Sequence, residues 1–206
     1  MRDKTCFIQM AITKTKATIF HPVTVRNIPA AMAQLDNKNG CEPFSVQPVN
    51  LCTGGGFYLW DFGDGATSIQ VSPEHTYTNE GQYRMQLKVV DEYGCQDTCS
   101  SYVTVHPNPD LSFNILQDPP CHSPVTVSFS NTTVYADAYE WTFDNGVHST
   151  SISPAVSVGS GPLGVHLFGT NMFGCEAILD TLVAVYSQPN IEAFTAEQIG
   201  CAPFMA

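Results

Sequence analysis

Apolar and polar side chains alternate over short stretches of this chain, and the alternation predicts β-strands. Within residues 81–90, the apolar positions Tyr83, Met85, Leu87 and Val89 are separated by polar ones. A period of two places successive side chains on opposite faces, so such a strand has one buried face. Shorter alternations of the same kind lie at 23–25, 44–46, 103–105, 125–129 and 183–185. No stretch has the 3.6-residue apolar period of a helix, so the sequence predicts an all-β fold.

Landmarks recur along the chain at a nearly constant step, which indicates an internal repeat. Cys41, Cys121 and Cys201 are separated by 80 residues each, and so are Cys95 and Cys175. The stretch YLWDFGDG at 58–65 also returns, as YEWTFDNG at 139–146. The chain therefore reads as part of a tandem array.

The repeat predicts two whole domains and two partial ones. The first repeat spans residues 30–109 and the second repeat spans residues 110–189. Residues 1–29 are interpreted as the C-terminal strands of a truncated preceding repeat, and residues 190–206 as the N-terminal strand of a truncated following one. A repeat of this length with roughly seven short strands is typical of an immunoglobulin-like β-sandwich.

Composition narrows the classes of function. The chain has 8 Lys and Arg against 19 Asp and Glu, a net charge of −11, which argues against nucleic acid as a partner. Hydrophobic residues make up 43% of the chain and charged residues 13%, which favours a packed core over disorder. No apolar run approaches about 18 residues, so we expect no insertion into a membrane.

The stretch WDFGDG at 60–65 admits two interpretations. Its Gly-Asp-Gly portion has the composition of a tight turn, in which Gly supplies a positive φ and Asp binds nearby backbone amides. Alternatively, Asp61 and Asp64 form an acid/base pair or ligate a metal. The second copy has Thr142 in place of Asp61. A catalytic carboxylate should be kept in every working copy, so this loss favours the turn.

Other candidate sites are weak. The six histidines, at 21, 75, 106, 122, 148 and 166, have neither HxxxH nor HExxH spacing. No serine lies in a GxSxG motif, and GGG at 54–56 lacks the Lys and helix of a phosphate-binding loop. CQDTC at 95–99 does not have the spacing of a zinc knuckle. We therefore predict no catalytic residue, no bound cofactor and no metal centre.

Weak calcium binding is the one ligand hypothesis left open. The chain is acidic, and carboxylates are the ligands that Ca²⁺ prefers. The two repeat junctions, HPNPDLSFN at 106–114 and SQPNIEAF at 187–194, however, carry one acidic residue each.

The order and spacing of WDFGDG, SPEHTY (72–77), GQY (81–83) and LKVVDEYG (87–94) resemble the PKD (polycystic kidney disease) domain family. The resemblance covers most of the first repeat and is weaker in the second. The motif positions are Trp60, Asp61, Phe62, Gly63, Asp64, Gly65, Pro73, His75, Tyr77, Gly81 and Tyr83, with Trp141, Phe143 and Gly146 in the second copy. The family implies a β-sandwich that serves as a spacer or interaction module, and an extracellular or cell-surface location. The regular cysteine frame is similar to tandem PKD arrays in large surface proteins of gliding bacteria, many of them exported by the type IX system.

Three functional hypotheses follow. The first is a non-catalytic structural or adhesive stalk, or a part of a surface filament. Its partners are other repeats or neighbouring copies in a homo-oligomeric assembly. The second is an accessory module of a secreted enzyme that binds protein or surface glycans, for which Tyr58, Tyr93 and Tyr135 are candidate contacts. The third is an enzyme, which the missing catalytic constellation disfavours.

Evenly recurring cysteines in an extracellular protein predict disulfides. The four cysteines of the first repeat allow three pairings. The two cysteines of the second repeat are 54 residues apart, and one pair in the first repeat has the same separation. This analogy gives the pairs Cys41–Cys95, Cys52–Cys99 and Cys121–Cys175. Cys6 and Cys201 lack a partner within their own repeat.

Overall fold

A computed structural model describes residues 4–5, 27–117, 124–159 and 161–185. The chain divides into two compact units, Met1–His106 (unit 1) and Pro107–Ala206 (unit 2). This boundary falls three residues before the one expected from the repeat.

The described part of unit 1 is built from short strands that precede two long ones. The strands are β1 (Lys4–Thr5), β2 (Ala33–Gln34), β3 (Asn39–Cys41), β4 (Phe44–Val46), β5 (Val49–Asn50), β6 (Phe57–Asp61), β7 (Thr67–Ser68), β8 (His75–Tyr77), β9 (Gly81–Val90) and β10 (Gln96–His106).

The largest sheet of unit 1 is centred on β9 and β10. Its order is β1-β10-β9-β6-β7, and β3 also pairs with β10. The β3–β10 pairing is parallel, and the other pairings are antiparallel. The opposite layer consists of the two-stranded sheets β2-β5 and β4-β8.

Unit 2 has seven described strands in two sheets. They are β11 (Phe113–Gln117), β12 (Val125–Asn131), β13 (Ala138–Phe143), β14 (His148–Ser149), β15 (Ala155–Val158), β16 (Gly161–Thr170) and β17 (Glu176–Val185). A four-stranded sheet has the order β14-β13-β16-β17, and a three-stranded sheet has the order β11-β12-β15.

The two cores form where the period of two predicts. In β9, Met85, Leu87 and Val89 are buried, and Arg84 points to solvent. Each core is centred on a Trp, and the remaining members are aromatic and branched residues of both layers. The core of unit 1 contains Val46, Trp60, Phe62, Tyr77, Met85, Leu87, Val103 and Val105. The predicted all-β, immunoglobulin-like sandwich class is confirmed.

Candidate functional site at the WDFGDG turn

The carboxylates of WDFGDG bind backbone amides of their own turn. Asp61 Oδ1 accepts a hydrogen bond from Gly63 N at 2.9 Å, and Asp64 Oδ1 accepts one from Ala66 N at 3.0 Å. The turn is closed by Phe62 N, which donates to Ala66 O at 3.1 Å. Side chains of Asp commonly satisfy backbone donors in this way. The geometry therefore favours the turn interpretation over an acid/base pair.

The second oxygen of Asp64 connects the turn to β8. Asp64 Oδ2 lies 2.7 Å from Nε2 of His75. The His75 ring stacks on Phe62 with 4.0 Å between ring centroids and meets Tyr77 edge-on at 4.7 Å. Tyr77 is fully buried and donates its hydroxyl to Phe62 O at 3.0 Å; this burial raises the pKa of Tyr77, and the charge of Asp64 adds to the effect. These contacts form one packed corner of the sandwich.

The remaining motif residues support the same corner. Trp60 and Pro73 are buried, and Tyr83 stacks on Tyr77 with 4.3 Å between ring centroids. Positive φ values occur at the turn and hairpin glycines: Gly63 (84°), Gly65 (96°), Gly81 (151°) and, in the second copy, Gly146 (84°). These motif residues therefore either pack in the core or adopt the backbone conformation that a turn requires.

The pKa of Asp64 is lowered in the folded protein. Partial burial alone would raise it, but the hydrogen bonds from Ala66 N and His75, together with the charge of His75, outweigh burial. Because the ionised form is favoured by folding, Asp64 contributes stability at pH values above its unfolded pKa near 3.8. That contribution is lost as the pH falls through the lower, folded pKa.

We expect Asp64→Asn to destabilise unit 1 by about 1 kcal/mol at neutral pH, since the charged partner of His75 is removed. The difference from wild type should vanish as the pH falls through the lowered, folded pKa of Asp64, where the wild-type carboxyl also becomes neutral. Urea unfolding at a series of pH values measures it. Asp36→Asn, the same change at an exposed carboxylate of unit 1, is the control. A deficit that persists undiminished in acid, or that Asp36→Asn reproduces, would contradict this assignment.

The second copy keeps the corner without its charged groups. Asn145, which replaces Asp64, accepts a hydrogen bond from Val147 N at 3.2 Å. Val156 and Val158, both buried, stand where unit 1 has His75 and Tyr77. Trp141 and Phe143 are buried as their counterparts are. The turn is therefore retained although the counterparts of Asp61, Asp64 and His75 are uncharged.

Several turn-capping residues were not singled out by the sequence analysis. The side-chain oxygens of Asn50 and Asn131, and those of Asp91 and Asn171, each accept a hydrogen bond from the amide two residues further on, at 2.9–3.1 Å. These are matching positions of the two repeats. Their recurrence as Asn or Asp at the repeat step was the signal that could have identified them.

Asp97 is a fully buried carboxylate that the sequence analysis also missed. Its Oδ2 accepts a hydrogen bond from Ala31 N at 2.8 Å, and no described residue hydrogen-bonds its Oδ1. Extending the alternation of Val103 and Val105 back along β10 places Asp97 on the inward face. In unit 2 the matching residue is Ala177, so the contact is specific to unit 1.

Apart from His75, the described histidines do not lie in a group of residues that could bind a metal ion. His148 Nδ1 is 3.1 Å from Thr142 Oγ1, and His166 Nδ1 is 2.5 Å from Asp180 Oδ1 on the exposed face. No group of three or more His, Cys, Asp or Glu that could hold a metal ion is found within the described ranges. His21, His122 and the junction at 187–194 lie outside them. Weak calcium binding stays a prediction.

The predicted pairing of Cys41 with Cys95 is wrong. Cys41 lies opposite His106, at the C-terminal end of β10, whereas Cys95 immediately precedes Gln96, where β10 begins. Ten residues of extended strand separate the two ends by about 33 Å, and a disulfide requires Cα atoms within about 7 Å. Cys41 and Cys95 are each disulfide-bonded, and this separation rules out a bond between the two.

The other two predicted pairs have different outcomes. Cys52 and Cys99 are thiols and not a disulfide, which corrects the second pair. Cys175 is disulfide-bonded, but its predicted partner Cys121 lies outside the described residues, so this pair stays a prediction.

Burial raises the pKa of the Cys52 thiol, and the charge of Asp97 adds to the effect. Cys52 is therefore a poor nucleophile at neutral pH.

Two of the three candidate tyrosines belong to unit 1 and one belongs to unit 2. Tyr58 is half-buried, and its hydroxyl donates to Gly55 O at 3.4 Å. Tyr93 in unit 1 and Tyr135 in unit 2 are exposed by 53% and 55%. Tyr135 has a φ of 60°, and the matching residue of unit 1 is Gly54, with a φ of 74°. A bulky residue in this left-handed conformation is strained.

The two-layered and largely antiparallel sandwiches place the chain among immunoglobulin-like modules. A family model described as "PKD domain" matches residues 29–106. Residues 29–106 therefore form a PKD domain, and the matched region contains the WDFGDG turn and the His75 corner.

Relatives with known names are much longer than this chain. Collagenase ColQ1 of Bacillus cereus is 50% identical over 48 residues, which are 23% of this chain and 5% of the collagenase. The pre-pro-metalloprotease PrtV of Vibrio cholerae is 36% identical over 96 residues, 43% of this chain and 10% of the protease. A crystal structure of the PKD1 domain from Vibrio cholerae metalloprotease PrtV is 35% identical, covers 38% of this chain and 98% of that chain, and has a TM-score of 0.33. The chain thus spans a tenth or less of these full-length relatives.

A search of the described residues for a long apolar helix that could cross a membrane finds none.

Proposed function

We propose that this chain is a non-catalytic structural segment, a spacer or stalk, of a large extracellular repeat protein. The observation that carries the proposal is the use of the motif carboxylates. Asp61 and Asp64 hold backbone amides of their turn and His75, and the second copy keeps the corner without them. A catalytic site needs nucleophile, base and stabilising groups that converge on one reacting atom, and these groups are instead engaged in folding.

The relatives support an accessory role. A collagenase and a metalloprotease each match this chain over a small part of their own length. We infer that a compact β-sandwich in such a protein would extend or position a separate catalytic part. The step of 80 residues supports a tandem array, with other repeats of the same polypeptide or neighbouring copies as partners. Surface exposure and type IX export belong to this proposal.

A second candidate function is an accessory module that binds a polymeric substrate. Three exposed apolar side chains of unit 2, Val134, Tyr135 and Met172, support it. Unit 1 has Thr53, Gly54 and Glu92 at the matching positions. The loops that carry them are joined, because Met172 N donates to Asp137 Oδ2 at 2.7 Å. A strained aromatic on an apolar loop surface is the kind of feature that a binding site retains.

Depletion from solution by insoluble collagen, chitin and cellulose separates the two functions. As a spacer, the chain is expected to stay in the supernatant at all concentrations. Saturable depletion that Tyr135→Gly abolishes would replace the spacer proposal by the binding module. Because glycine adopts a positive φ without strain, Tyr135→Gly should fold at least as well as wild type, so a loss of binding would report on the side chain. Tyr102→Ala, at a similarly exposed tyrosine of unit 1 that is not a candidate contact, is the control.

A further inference from the structure

The last strands of the two units, β10 and β17, occupy matching positions but differ in the strands that pair with them. In unit 1, β10 is antiparallel to β9 on one side. On its other side, the start of β10 pairs with β1, with Lys4 opposite Asp97 and Thr5 opposite Gln96. The end of β10 pairs with β3. Both edges of this strand are therefore hydrogen-bonded at these positions.

The start of β17 has one partner within the described residues. Every residue of β17, Glu176–Val185, is in register with β16. Glu176 and Ala177 correspond, at the 80-residue step, to Gln96 and Asp97, the two residues that β1 pairs with in unit 1. No described strand takes the place of β1 beside them.

The start of β17 is protected as a sheet edge only by acidic side chains, Glu176 and Asp180, and not by Lys, Pro or a bulge. Exposed edge strands are commonly blunted by Lys, Pro or a bulge. The sequence EAILDTLVAV has no Lys or Pro, and its ten-residue register with β16 is unbroken. Ile178 and Leu182 are exposed by 70% and 73%. A long, regular and partly apolar edge is a template for strand addition.

Charge defines the kind of strand that fits this edge. All eight Lys and Arg of the chain occur at or before residue 88, and unit 2 contains none. Glu176 and Asp180 lie on β17, and Glu140 lies in the same cross-strand row as Ile178, through Phe168. An antiparallel copy of the same edge would bring like charges together, which is destabilising. A basic strand would instead be attracted.

We propose that the edge of β17 at Glu176–Asp180 binds an extended, positively charged peptide segment, which adds to the sheet antiparallel to β17 as β1 adds to β10. The basic segment of this chain around β1 has the required character: residues 1–29 carry five Lys and Arg and one acidic residue. Main-chain hydrogen bonds supply affinity in this recognition mode, and side-chain contacts with Ile178 and the acidic groups supply selectivity. This surface is distinct from the loop residues of the binding alternative and does not depend on the spacer function.

The probe is a synthetic peptide of residues 2–11 with Cys6→Ser, added to the full chain. Hydrogen exchange is expected to slow at residues 176–180, and binding should weaken as salt is added. The peptide with Arg2→Glu and Lys4→Glu should bind at least about tenfold more weakly. In the protein, Ile178→Lys should weaken binding about tenfold, because it places a like charge at the edge. Ile152→Lys makes the same substitution at an exposed loop residue of unit 2 and should change binding less than about twofold.

Three outcomes would overturn the proposal. The first is no binding of the basic peptide. The second is slowed exchange confined to other residues, for example 96–98, where the peptide would have displaced β1. The third is protection of residues 176–180 that grows with protein concentration and without peptide, which would assign the edge to a second copy of β17.

Discussion

Replacing Trp60 by alanine is expected to unfold unit 1 in moderate denaturant while unit 2 keeps its wild-type transition. Trp60 is 0% exposed at the centre of its core, and its Nε1 donates to Gln70 O at 3.0 Å. Truncating a large buried aromatic costs about 3–5 kcal/mol. A small domain has about 5–15 kcal/mol of stability in total, so the loss takes up much of it.

The two units provide an internal reference for this experiment. Trp141 is the remaining Trp of the Trp60→Ala variant, so its fluorescence follows unit 2, while exchange of the β9 and β10 amides follows unit 1. Ile69→Ala, at a side chain that is 67% exposed, is the control and should cost less than about 0.5 kcal/mol. A Trp141 transition that shifts as far as the exchange of unit 1 would show that the two units unfold as one.

Phenylalanine at each Trp position separates packing from hydrogen bonding. No described residue accepts a hydrogen bond from Nε1 of Trp141. We therefore expect Trp60→Phe to cost about 1 kcal/mol more than Trp141→Phe, because the former removes the partner of Gln70 O. Equal costs would contradict this assignment.

The long strands could be predicted from the sequence because their side chains alternate over many residues. The alternation predicts one buried face from local sequence alone, and that face contains Met85, Leu87 and Val89. A strand such as β3, Asn39–Cys41, is too short to have a period. Its position depends on pairing with residues 104–106, a contact between segments that are far apart in sequence.

The incorrect cysteine pairing has the same origin. An equal separation of two cysteine pairs predicts an equivalent bond only if each pair lies at the same ends of its strands. Separation along the chain does not indicate at which end of a strand a residue lies, and Cys41 and Cys95 lie at opposite ends of β10. The partner of Asp97 could not be predicted for a related reason, since the amide of Ala31 that it binds is 66 residues away. Local motifs were more informative: the Gly-Asp-Gly turn was predicted because its hydrogen bonds span two residues.

The turn glycine of WDFGDG shows how the two copies solve the same packing problem differently. A Cβ on Gly63 would lie 2.7 Å from Arg84 O and 2.9 Å from Arg84 N, and these are backbone atoms of β9. In unit 2, Asp144 stands at the matching position, opposite Gly164. A Cβ on Gly164 would lie 2.8 Å from Asp144 Oδ2, which is the movable end of a side chain. Asp144 is not among the residues with a positive φ, whereas Gly63 is. The turn backbone of unit 2 therefore differs at this position, and the Asp144 side chain lies where a side chain at position 164 would meet it.

Gly63→Ala is therefore expected to destabilise unit 1 by about 2–4 kcal/mol, since a positive φ of 84° and a backbone clash act together. Gly164→Ala should cost unit 2 only about 1 kcal/mol, because the Asp144 side chain can rotate away. Asp144→Gly should remove most of that cost, which urea unfolding of the two single variants and the double variant would measure as a coupling of about 1 kcal/mol. Two results would contradict this explanation. The first is an equal loss of stability for Gly63→Ala and Gly164→Ala. The second is additive effects of Gly164→Ala and Asp144→Gly, which would show that these contacts do not determine where each unit needs glycine.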